Sequence, residues 1–544
     1  MNLWKNFLLV ILIALMFGEE VKGKLSIYFW GTRYGDEEFS IERLKGGNKL
    51  IKTTGGVNTK LFGREIDIKL SSELLLNKRF QVEWYKLTMR SKKGDYNLNF
   101  HFNKGIAKVE VIKNGLSDYK QLDFDPLTLL LDNNIFSHYF VLIWRYNFNK
   151  GGVQKFPIFI PQNGFKSDIF VEDKGLEETE LRKETYVLRR IFVDFGGITG
   201  INLWIDERKE LVKAQLANQL MEIIRENYIP FANKIEKKTQ KLIEYYEEEI
   251  FFENEEIRLG GTLSFPKNKK KGIYPAVVII SGSGPQNRDG NSPNKFIFQT
   301  NIYRDIAREL SKNGFIVLRY DDRGVGKSGG DFQTSTLSDF VSDAKSALAF
   351  LKSREDIAKE KIVLIGHSEG GIIASIIASE DPSIRLIVLL GTPAKSLKEV
   401  IKEQLDLIKD EKLKRITKEN QEKLFKAVEN GSDWEIIEGR KVFLGWYREH
   451  FELDPLKIIS KVRCPVAILQ GKNDIQVLPY HALLFAQELE KKGIPHKLKI
   501  FDNLDHFFMR SKFKRLAHYF DSSRKVDKNF MAYLSNLIES YVQR

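Results

Sequence analysis

Residues 361–379 read KIVLIGHSEGGIIASIIAS, two apolar runs joined by nothing longer than GHSEGG. The first run is continuously apolar, as a strand buried on both faces of a parallel sheet must be. The second is long enough for a helix packed against that sheet. Only a sharp strand-to-helix turn can join them, and Gly366, Gly370 and Gly371 would let strand and helix cross where a Cβ would clash. Such a segment demands an α/β layer architecture and lifts Ser368 to the carboxyl end of a strand. A second G-x-S-x-G, GKSGG at Gly326–Gly330, acts as an internal control. After Ser328 come two glycines and a polar loop, so that turn cannot run straight into a helix. The same GKS ends a phosphate-loop pattern, but its first position holds Asp321 instead of glycine, which excludes nucleotide binding there.

The surrounding sequence supports an open α/β sheet from about Glu247 onward. The strand-like runs YPAVVIISG, FIVLRYDD, RLIVLLG, PVAILQG and HKLKIFDN alternate with helical patterns such as LSDFVSDAKSALAFLKS. EEEIFFENEEIRLGGTLSFP precedes them as a hairpin. Between LLGTPAKS and CPVAILQG lies a long stretch rich in helix formers, far more than a crossover needs. It is expected to be a helical cap over a pocket, at about 396–460. Before Glu247 the pattern differs. RFQVEWYKLTMRS, YNLNFHFN and IAKVEVIKN alternate apolar and polar residues between turns, and YFVLIWRYNF, KFPIFIPQ, ETYVLRRIFVDF and GINLWIDE continue the series. This predicts a β-rich, antiparallel, half-barrel-like domain over 24–205, interrupted by a helix in DPLTLLLDNNIFSHYF. A helical connection is expected over 206–246 and the catalytic domain over 247–544. His101 and His138 lack ligand spacing and read as structural.

A serine hydroxyl needs a base, and that base needs a carboxylate to fix its tautomer. On an α/β sheet of this kind the order along the chain is serine, acid, histidine. His450 falls in the expected cap, His481 and His496 border a helix, and His518 lies away from any strand end. His506, in IFDNLDHFF, follows the last strand's carboxyl end, where ligand chemistry gathers in such sheets. Asp474, in LQGKNDIQV, occupies the turn after the preceding strand. Asp502 and Asp505 stand too near His506 in sequence to face it and read as loop carboxylates. The oxyanion would be held by two backbone N–H groups, from Glu369 and from Ser283 in SGSGPQNRDG.

At 544 residues the chain is too long for one compact core. Its net charge of +13 comes from 86 basic residues interspersed with 73 acidic ones, without a base-stacking motif, so a solvated lysine-rich surface is expected and nucleic acid is not a partner. The abundance of Lys, Glu and Ile suits a thermophile. MNLWKN followed by FLLVILIALMF reads as a secretory signal over 1–23, cut near Gly23. The apolar run is too short to span a bilayer comfortably, so export to the periplasm or beyond, with no stable span afterwards, is the expectation; an uncleaved anchor is the alternative. Cys464, the single cysteine, can form no internal disulfide and reads as a small buried residue.

Together SGSGPQNRDG, LRYDDRGVGKS, GHSEGG and GKND with its later DH resemble the α/β-hydrolase superfamily, in its bacterial esterase and serine-aminopeptidase-like subgroup. That subgroup includes thermophilic lipolytic esterases with an extra N-terminal region. The resemblance implies Ser368 as nucleophile, Asp474 as acid and His506 as base, with Asp322 and Arg323 paired in a structural loop. It implies a carboxylesterase acting on a small-molecule ester through an acyl-enzyme, with no metal or cofactor. An acylaminoacyl hydrolase or peptidase is the enzymatic alternative. An inactive envelope protein binding an apolar ligand is the alternative from another class.

Overall fold

A computed structural model describes residues 21–543, except 30, 62–63, 93, 104, 198, 235–243, 268–271, 295–296, 409–410, 438–439, 512–513 and 522. The chain forms two compact units. The first comprises residues through Thr239 together with Leu516–Asp521; the second holds Gln240–Arg515 and Ser522–Arg544. Most of the expected signal segment therefore lies outside the described residues, and its expected cut at Gly23 falls inside the strand Val21–Phe29.

In the first unit the described strands form one sheet of fifteen. The strands from Val21–Phe29 to Leu116–Asp123 meander outward, each antiparallel to the one before it. A second meander returns to Met221–Arg225, which pairs with Val21–Phe29, Leu25 facing Arg225. Alternation places Leu98 and Phe100, then Ala107 and Val109, on the inner face. They pack with Phe140, Leu142 and Ile143 of the helix Tyr139–Arg145.

That helix corrects the sequence reading. YFVLIWRYNF was expected to be a strand and the helix was expected earlier, in DPLTLLLDNNIFSHYF. The segment instead gives a two-residue strand at Leu129–Leu130, a 3-10 turn at Phe136–His138 and then the helix. A short helix apolar on every side carries no 3.6-residue pattern, and burial on all sides is what stabilises it. The helical connection over 206–246 is likewise overturned where it is described. Leu211–Leu216 and Met221–Arg225 are paired strands whose alternation the charged residues around them obscured. The expected catalytic domain is also interrupted: Leu516–Asp521 groups with the first unit, where Asp521 meets the fully buried Arg190 at 2.9 Å.

The second unit is built on eight strands. Across the sheet they run 245–254, 257–266, 316–320, 274–280, 357–367, 386–390, 466–471 and 496–501. The hairpin at one edge is antiparallel, and every pair from 274–280 onward is parallel. The inner parallel strands are buried almost throughout, Leu386–Leu390 completely, while the edge strand His496–Phe501 alternates between exposed and half-buried residues. Between 390 and 466 stands the insertion, with helices Leu397–Asp406, Glu411–Glu429, Gly445–Glu452 and Pro455–Ile459. It is not helical throughout: Trp434–Ile437 and Arg440–Phe443 pair as a small hairpin inside the run expected to be helix. Among the described residues no helix is long and apolar enough to cross a membrane.

Candidate active site

The strand Ile357–His367 passes directly into the helix Glu369–Glu380, with Ser368 between them at φ 54° and ψ −119°. An L-residue held there is strained, and such strain persists only where the surroundings over-determine it. The surroundings here are the crossing glycines. A Cβ on Gly370 would run into the carbonyl oxygens of Ile280 and Ser281, and one on Gly366 into the Gly370 backbone. The Ser368 N–H donates to the Leu390 carbonyl at 2.8 Å. Glu369 opens the helix, so its N–H has no partner one turn back and lies at the positive end of the helix dipole.

Asp474 and His506 come from the turns after the last two strands. Asp474 is fully buried. Its Oδ1 accepts the N–H groups of Gln476 and Val477 at 2.8 and 2.9 Å, and its Oδ2 accepts Gln470 Nε2 at 2.9 Å. His506 Nδ1 lies 2.7 Å from the same Oδ2. A carboxylate only accepts, so Nδ1 carries a proton, and in the neutral imidazole this leaves the lone pair on Nε2. Gly391, next to the carbonyl that holds Ser368, would place a Cβ 3.1 Å from His506 Nδ1 and 3.3 Å from Asp474 Oδ2. The structure thus joins Asp474 to His506 directly and gathers both beside the strand end that carries Ser368.

Gly282 of the SGSGPQNRDG loop packs on the serine, a Cβ there falling 3.0 Å from Ser368 Cβ. The Gly282 N–H is already taken by Tyr303 Oη at 3.1 Å, while no bond in this loop uses the Ser283 N–H.

The expected Asp322–Arg323 pair does not form. Arg323 forks onto Asp343 at 2.7 Å through both Nε and Nη2, and reaches Asp339 through Nη1 at 2.7 Å. The planar guanidinium finds a better-matched carboxylate on the following helix, Leu337–Ser353. Asp322 turns inward instead, accepting from Ser281 Oγ and the Gln286 N–H. Burial pushes its carboxyl well above the ordinary aspartate range.

The contacts of three side chains in this unit were not legible in sequence. His367 Nε2 lies 2.9 Å from the His506 carbonyl oxygen and its Nδ1 3.1 Å from Tyr303 Oη. Burial holds that imidazole neutral, its pKa lowered to about 3. The Glu369 side chain meets Trp446 Nε1 at 2.7 Å and His450 Nε2 at 2.5 Å, both from the insertion helix Gly445–Glu452. His481 Nε2 meets Glu403 at 2.8 Å and its Nδ1 accepts the Ala394 N–H at 3.0 Å. Asp505 is structural, as expected, accepting from the N–H groups of Phe507 and Met509 and pairing with Arg524.

Residues 296–512 match the hydrolase family model described as serine aminopeptidase, S33. Esterase EstD of Thermotoga maritima is 29% identical over 305 residues, covering 55% of this chain and 70% of the relative. An uncharacterized peptidase, YtmA of Bacillus subtilis, is 22% identical over 209 residues, 38% of this chain and 71% of its own length. Among solved structures, Est1E from Butyrivibrio proteoclasticus with ferulic acid bound gives a TM-score of 0.40 at 19% identity, over 54% of this chain and all of that one. The family match, the long alignment with EstD and the strand–turn–helix around Ser368 agree: the second unit is similar to α/β hydrolases of the esterase-like kind.

Proposed function

We propose that this hydrolase cleaves carboxylic esters, with Ser368 as nucleophile, His506 as base and Asp474 as the carboxylate that orients it. Ser368 Oγ attacks the ester carbonyl while His506 Nε2 takes its proton. The charge that develops on the carbonyl oxygen is received by the N–H groups of Glu369 and Ser283. His506 then returns the proton to the departing alcohol, leaving an acyl-serine. Water, deprotonated by the same nitrogen, releases the acid. The observation that carries this reading is the buried 2.7 Å bond between His506 and Asp474, which fixes the tautomer a serine base requires.

EstD, aligned over more of the chain than the peptidase YtmA, supports ester over amide substrates. The family description supports the second reading, an aminopeptidase with the same three residues. Hydrolysis of short p-nitrophenyl esters compared with aminoacyl p-nitroanilides separates the two, and turnover of the anilides alone would overturn the ester assignment. A fluorophosphonate should label the protein and fail to label Ser368→Ala; label on that variant would remove Ser368 from the mechanism. We also propose export, supported by the basic start and apolar run of residues 1–17. A mature N-terminus near residue 24 in the extracytoplasmic fraction would bear it out, and intact cytoplasmic protein would refute it.

A further inference from the structure

We propose that His367, Tyr303 and Gln286 form a hydrogen-bonded brace that positions the base and one oxyanion donor together. The proposal rests on the ester-hydrolysis reading above and names three positioning residues for it. None of the three makes a hydrogen bond to the reacting atoms, although the His367 ring packs against the His506 ring with centroids 4.7 Å apart.

Proton placement fixes how the brace works. The His506 carbonyl can only accept, so the 2.9 Å contact requires a proton on His367 Nε2. The imidazole is 2% exposed and neutral, which leaves its Nδ1 as an acceptor facing Tyr303 Oη. Tyr303, equally buried, accepts the Gly282 N–H and offers its single proton to His367 Nδ1 or to Gln286 Oε1, 3.0 Å away. Gln286 Nε2 in turn donates to the Gly282 carbonyl at 2.9 Å. That last bond matters for chemistry. In a planar trans peptide the N–H points opposite the C=O, so fixing the Gly282 oxygen fixes the direction of the Ser283 N–H. At its other end the brace holds the main chain of His506, whose side chain Asp474 holds separately. His367 is also the residue before Ser368, so nucleophile, base and oxyanion donor share one hydrogen-bonded frame.

The test is Tyr303→Phe, Gln286→Met, His367→Gln and His367→Leu, assayed on a short p-nitrophenyl ester. A donor that can turn away from the oxyanion loses part of the hundred- to thousand-fold such a donor provides, so kcat should fall about ten- to a hundredfold in Tyr303→Phe and Gln286→Met. KM should change little, because the brace does not touch substrate. The rate of fluorophosphonate labelling should fall in parallel with kcat. His367→Gln can put an N–H where Nε2 stood, so it should retain clearly more activity than His367→Leu. Gln286 is only half-buried on a loop, so its variant keeps the test open should a core variant fail to fold. The brace is overturned if Tyr303→Phe or Gln286→Met keeps kcat within about twofold of the parent, or if His367→Gln and His367→Leu are equally impaired. Activity surviving in Ser368→Ala would instead overturn the underlying mechanism, whatever the brace variants do.

Discussion

Glu37 is a buried carboxyl of the first unit whose ionisation should be felt near neutral pH. It is 1% exposed, and its two carboxyl oxygens accept the N–H groups of Phe136 and Ser137 at the start of the 3-10 turn before the buried helix. Burial outweighs those bonds and raises its pKa from 4.5 to about 7. A carboxyl raised by folding favours the protonated fold. Its contribution is therefore fully present below pH 4.5 and is lost as the pH climbs through about 7. The rise corresponds to roughly 3 kcal/mol, on the order of a hundredfold in the folding equilibrium. Glu37→Gln keeps an acceptor for one of the two amides and removes the titration. The cost of the other amide is independent of pH and leaves the slope of the comparison unchanged. The assay is pulse proteolysis in a urea series, with cleavage products from residues 21–234 read by mass spectrometry. Subtracting parent from variant cancels the other buried titrating groups, Asp132 raised to about 6 and His138 lowered to about 3, both by burial. Glu37→Gln should gain on the parent by roughly 3 kcal/mol between about pH 4.5 and pH 8. Parallel pH profiles for the two proteins would refute the reasoning.

The remaining predictions concern the second unit. Asp474→Asn would present an N–H where His506 needs an acceptor, and kcat on esters should fall about a thousand- to ten-thousandfold with the fold intact. Gly282→Ala would bring a methyl group 3.0 Å from Ser368 Cβ and 3.1 Å from the His367 carbonyl oxygen, so acylation should slow while the thermal midpoint shifts little. Cys464 is buried and its thiol is pushed up to about 12 by burial. It should resist a thiol-disulfide reagent until the chain unfolds, and rapid reaction in the native protein would contradict that burial.

What the sequence made legible follows from how local each constraint is. The elbow is written in consecutive residues because strand, turn and helix are consecutive, and the apolar strands announce a parallel sheet because both their faces are covered. Asp474 and His506 were reachable because each ends a recognisable strand, although their pairing is a tertiary fact. The helix Tyr139–Arg145 was misread because its apolar surface goes all the way round, and a buried strand looks the same. Arg323 was given to its neighbour Asp322 when a carboxylate twenty residues further on offered two parallel bonds. Proximity in sequence is a poor guide to ion pairing, since adjacent side chains on an extended segment point apart. The Glu369 contacts show the same rule from the other side. Its backbone N–H was assigned from the turn alone, whereas its carboxylate meets Trp446 and His450 from a helix more than seventy residues on. One residue thus faces two directions: its amide toward the serine, its side chain toward the insertion. Where the insertion helix Gly445–Glu452 stands is thereby coupled to the peptide that the proposed mechanism uses for charge stabilisation, and no pattern within either segment could have indicated it.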